Sequence, residues 1–67
     1  MNPQAMSSTE LWARILELRE AGRELTRLIM RAQAPAALRM LSIEWSAVTR
    51  GEVALLDELV RRSEVAT

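Results

Sequence analysis

The chain has 67 residues, with nine Arg balanced by nine acidic side chains, and no His, Cys, Lys, Tyr or Phe. That length builds one small domain with a thin core, and no disulfide or His/Cys zinc site is available to reinforce it. A formal charge of zero also lacks the basic surplus that phosphate binding requires, so no nucleic-acid partner is expected. In chain order, residues 1–8 carry neither a positive charge nor an apolar run, and they read as a flexible lead-in with no secretory signal. Ser7 followed three residues later by Glu10 has the spacing of a capping box and marks the start of a helix. Apolar or small residues then recur at Leu11, Ile15, Leu18, Gly22, Leu25, Ile29 and Ala32, alternating steps of four and three, which is a heptad seam. The spacing predicts a helix over about 9–33.

Pro35 ends that helix, because the residue before a proline is driven out of the α region, and it suits the start of the next one. A second apolar series runs through Leu38, Leu41, Trp45, Val48, Leu55 and Leu59. The same spacing places Glu52 on the seam, so the series falters there. One reading continues a single helix over about 36–62. The other breaks it near Gly51, with Thr49 and Glu52 capping a third helix. The single helix is favoured, since a lone Gly costs only about 1 kcal/mol and no proline accompanies it. Residues 64–67 read as a flexible end. Two helices of similar length joined at a short hinge define the fold class: all-α, an antiparallel helical hairpin occupying residues 9–63 as a single domain.

A hairpin covers its seam but little else. Trp12, Leu16, Leu28 and Met30 on the first helix, with Met40, Ile43, Leu56 and Val60 on the second, are left as a second apolar face that calls for a partner. The simplest partner is a second copy, giving a homodimeric four-helix bundle; a larger protein is the other candidate. For Trp12 and Trp45, core packing and service as a partner anchor are both open. Gly22 on the seam allows either a close helix approach or a merely tolerated glycine. Arg19, Arg23, Arg27 and Arg31, spaced by four, form a drifting stripe. The stripe reads either as a surface for an anionic partner or, more simply, as a solvated face paired with Glu20 and Glu24.

Catalytic chemistry is scarce. Ser and Thr have no His beside them to act as base, and the carboxylates lack the His that bundle di-metal sites present at Glu-x-x-His spacing. Glu44, beside Trp45 on an apolar stretch, is the best candidate for a shifted carboxylate, and a boundary ion pair is its simpler role. No catalytic, metal or cofactor residue is assigned, and no cofactor is expected. No apolar run reaches the roughly 18 residues of a membrane span, so the expected location is cytoplasmic. The expected function is a non-enzymatic protein-interaction module of adaptor, chaperone or inhibitor type.

From about Leu28 onward the chain also resembles the phasins, the family that coats bacterial polyhydroxyalkanoate granules. The resemblance rests on Ala32-Gln33-Ala34-Pro35, Leu38, Leu41-Ser42-Ile43-Glu44-Trp45 and the run Val53-Ala54-Leu55-Leu56-Asp57-Glu58-Leu59. Ser42 stands where phasins usually carry Gln, the matched part is about half the chain, and the whole is shorter than a usual member. The resemblance implies an amphipathic, non-catalytic protein that oligomerises and lays apolar faces on a hydrophobic granule surface.

Overall fold

The computed structural model describes residues 2–66. The outermost residues of the two expected flexible ends, Met1 and Thr67, lie outside that range. Two helices, α1 (Ser8–Arg31) and α2 (Pro35–Ala66), pack against each other after a short 3-10 turn at Pro3–Ala5. The result is an all-α helical hairpin measuring 49 × 19 × 15 Å, with no strand among the described residues.

The helix boundaries follow from their caps. Ser7 is the N-cap of α1, its side-chain oxygen accepting from the Glu10 amide at 3.1 Å. The helix starts at Ser8 and stops at Arg31, two residues short of the expected 33, because Ala32 turns extended (φ −70°, ψ 134°) while its N–H still bonds Leu28 and Ile29 carbonyls. Pro35 opens α2 at the position where its missing N–H costs nothing. That helix passes through Gly51 without a break, as the single-helix reading expects, and no glycine takes a positive φ. It continues to Ala66, past the expected end at 62 and into the segment read as flexible.

Every residue of the predicted α1 seam is buried or half-buried: Leu11, Ile15, Leu18, Gly22, Leu25, Ile29 and Ala32. The dry core is small. Leu11 and Ile15 are fully enclosed, Leu55 nearly so, and Met6, Leu18, Leu56 and Leu59 pack around them. Closer to the hinge no residue of either helix is fully buried. The helices meet in a definite register, with Gly51 beside Leu18, Gly22 beside Val48, and Arg62 donating to the Ser8 hydroxyl at 3.2 Å. Glu52 sits on the seam as its spacing predicts, and the Arg19 guanidinium meets it at 2.6 Å from the opposite helix. The carboxylate that interrupts the apolar series is thus answered across the hairpin.

Residues 2–7, expected to be a flexible lead-in, carry structure. Asn2 caps the 3-10 turn, and Met6 reaches the core cluster. Arg62 donates to the Pro3 and Met6 carbonyls, holding the turn against the end of α2. Arg62 is itself held by Glu58 at 3.0 Å.

The two glycines are not required by the hairpin. A methyl group added at Gly22 would lie 3.9 Å from Val48 Cγ1, and one at Gly51 would lie 3.5 Å from Leu18 Cδ1, both ordinary contacts. Gly22→Ala and Gly51→Ala are each expected to stabilise the fold by about 1 kcal/mol through helix propensity. Thermal denaturation followed by circular dichroism checks this, and a loss of stability at either position would mean that the glycine makes room for something outside the hairpin.

Candidate interaction surface

The seam divides the hairpin into two flanks, each marked by a groove. On the first flank Arg19, Arg23, Thr26 and Arg27 of α1 face Trp45, Thr49 and Glu52 of α2 across a groove of ≈ 590 Å³ floored by Gly22 and Val48. On the second, Arg14 faces Ala47, Gly51 and Ala54 around a smaller groove of ≈ 370 Å³ that Pro3 also lines. Helical periodicity of 3.6 residues then assigns the remaining positions, since residues seven or eleven apart share a face. Trp12 and Leu16 stand one heptad before Arg19 and Arg23, and Met30 one heptad after Arg23, all on the first flank. Leu56 and Val60 stand seven and eleven residues after Thr49, on the same side. Leu28 is two heptads beyond Arg14, and Met40 one heptad before Ala47, on the second flank. Ile43 stands eleven residues before Ala54, on the second flank as well.

The candidate interface residues, the eight read as one second face together with Trp45, therefore divide. Trp12, Leu16, Met30, Trp45, Leu56 and Val60 gather on the first flank, and Leu28, Met40 and Ile43 do not join them. Eight of the nine are exposed. Leu56 alone is half-buried, because its position at the seam's edge packs it on the core cluster. Trp45, placed on the seam by spacing, is rolled to the flank and 42% exposed, and Trp12 is 50% exposed. Neither tryptophan belongs to the hairpin's core. Met30, at 82%, is the most exposed. Val53, exposed at about half and seven residues before Val60, extends the first flank. It sat inside the Val53–Leu59 run of the sequence without being singled out, because only the register with α1 identifies the face it shares.

The arginine stripe is largely answered by carboxylates. Arg19 binds Glu52, Arg23 reaches Glu20 at 3.4 Å, and Arg27 binds Glu24 at 2.7 Å. Arg31 ends α1 as the basic residue of its last turn, where a cation suits the helix dipole. Paired and solvent-facing, Arg19, Arg23 and Arg27 with their carboxylates give a neutral belt in which the guanidiniums and their aliphatic stems remain available for stacking. Glu44 is exposed. Among the described residues no group of three or more acidic side chains gathers to hold a metal ion, and no helix is long and apolar enough to cross a membrane.

The most strongly perturbed ionisable group went unnoticed in the sequence. Glu58 is buried to 6% exposure and takes Arg61 at 2.6 Å and Arg62 at 3.0 Å. The hydrogen bond from Arg61 holds its carboxyl down to about 2, helped by the bond from Arg62 and by both positive charges, against the opposing effect of burial. Its spacing to the two arginines, three and four residues, was a legible signal. This cluster is structural: its outward reach goes to the Pro3 and Met6 carbonyls. No protein-family model, no curated protein and no solved structure matches the chain.

Proposed function

We propose that the chain is a small, non-enzymatic helical interaction module, of adaptor, chaperone or inhibitor type, that works as a homodimer and engages other proteins in that form. One contrast supports this reading. Among the described residues the hairpin buries three apolar side chains, while nine large ones stay exposed, six of them on one flank. Burying a large apolar side chain is worth roughly 1.5–3 kcal/mol, so covering that flank yields energy comparable with the stability of a whole small domain. The tryptophans are the expected anchors, since indoles in half-open settings dominate interface energetics.

The test is substitution on the exposed flank. Leu16→Glu adds a charge to a side chain the hairpin leaves in water, so the helices survive while self-association is lost. Trp45→Ala is expected to weaken association at least tenfold and to leave the helical signal of the concentrated protein intact. Sedimentation equilibrium measures both. Retention of full association by both variants would refute this assignment of the interface.

A second reading, the phasin-like coat, draws on Leu28, Met40 and Ile43, which stay exposed off the first flank. Adsorption to a hydrophobic particle needs apolar residues on more than one side and little stereospecificity. Met40→Glu together with Ile43→Glu is expected to release a coat protein from polyester particles. A protein that never enriches on such particles is not a coat.

A further inference from the structure

We infer that the occupant of the first flank is a second copy of this chain, docked face to face about a two-fold axis that runs perpendicular to the helices and crosses α1 between Glu17 and Leu18. The inference rests on the self-association proposed above and specifies its geometry. In such an arrangement each helix lies antiparallel over its own copy, and residues equally far from the axis on opposite sides meet. Trp12 and Arg23 lie about 8 Å either side of that point, and Leu16 and Arg19 about 2 Å either side, at 1.5 Å rise per residue. Trp12 therefore meets Arg23 of the second copy, and Leu16 meets the stem of Arg19.

The second helix supplies an independent check. The hairpin register, set by Gly51 beside Leu18 and Gly22 beside Val48, carries the same height to about Glu52 of α2. An axis fixed by α1 alone thus predicts which α2 residues must meet. Trp45 and Val60 lie about 11 Å either side of it, and Thr49 and Leu56 about 5 Å. All four are on the first flank. Each tryptophan of one copy is thereby brought over a flank residue of the other, and Val53 comes beside the axis, next to its own copy.

Charge and area are compatible with this face. Arg19 enters already neutralised by Glu52, so no unpaired charge is buried. Arg23 has a loose ion pair, at 3.4 Å, leaving its guanidinium to stack on the incoming indole. The hairpin face measures 49 × 19 Å, and the overlap allowed by this axis covers about 600–800 Å² per copy, close to the ~800 Å² that a stable interface buries per partner. A two-fold parallel to the helices lacks this match: it sets α1 over α2 and keeps the two Val53 side chains diagonally apart.

The chain has no cysteine, so single-cysteine variants report the geometry without background. Val53→Cys, at an exposed position beside the proposed axis, is expected to give a disulfide-linked band of twice the monomer mass on mild oxidation. Leu28→Cys, on the opposite flank, is expected to remain at monomer mass. Light scattering on the reduced proteins establishes association separately. A dimer by scattering in which Val53→Cys fails to link, or Leu28→Cys links instead, overturns the proposed axis and leaves self-association standing. A monomer by scattering at every concentration overturns both.

Discussion

Ile15→Ala is expected to remove about half of the stability of the folded chain. Ile15 is fully buried, beside Leu11 and Leu55 at the centre of the only dry cluster among the described residues. Truncating such a side chain costs about 2–5 kcal/mol, from lost transfer energy and the cavity left behind. A chain of this size has only about 3–10 kcal/mol of stability to lose, at about 0.05–0.15 kcal/mol per residue. The rest of the hairpin cannot compensate, since towards the hinge no side chain is fully buried. Met40→Ala, at an exposed apolar position on the second flank, is the control and is expected to stay within about 0.5 kcal/mol of the parent. Urea denaturation followed by helical circular dichroism measures both. Equal effects at the two positions would mean that the core lies elsewhere.

The second large effect is an acid transition centred on Glu58. Its carboxyl is held at about 2 in the folded chain, against an ordinary value of 4.5. A depressed carboxylate contributes stability that is fully present above the unfolded value, and this is lost as pH falls through the folded one. The melting temperature is therefore expected to be insensitive to this group above about pH 5 and to fall between pH 4.5 and 2. Glu58→Gln is expected to melt lower at neutral pH and to lose this part of the acid dependence. Protonation also removes the anion that positions Arg62, whose guanidinium holds the Pro3 and Met6 carbonyls. The N-terminal turn should consequently gain hydrogen-exchange rate in the same pH window. A variant with an unchanged acid limb would show that the Glu58 cluster does not couple to folding.

Much of the fold was legible before any coordinate. The strict four-three spacing from Leu11 to Ala32 identified the buried seam of α1 residue by residue, and Ser7 and Pro35 marked two of its boundaries. The second helix was harder for a physical reason. A straight α-helix drifts against a heptad pattern by about 20° per repeat, and over the 32 residues of α2 the buried edge moves away from Trp45 and towards Arg62. Glu52 looked like an interruption because its answer, Arg19, comes from the other helix. The N-terminal turn depends on Arg62, more than fifty residues away, so local composition could suggest only flexibility. The candidate surface was legible as a set of residues and not as a shape. Composition and spacing found apolar side chains beyond the seam. Dividing them between flanks needed the register of α1 against α2, which no single-helix pattern contains. Val53 was missed for the same reason, whereas Glu58 had a local signal in its spacing to Arg61 and Arg62.

The central claim is that a hairpin with so small a core does not work alone. Gel filtration coupled to light scattering, with circular dichroism on the same peak, tests it most directly. The account predicts a strongly helical particle of twice 7.6 kDa that dissociates on dilution. A strongly helical particle of 7.6 kDa that persists at high concentration would contradict it.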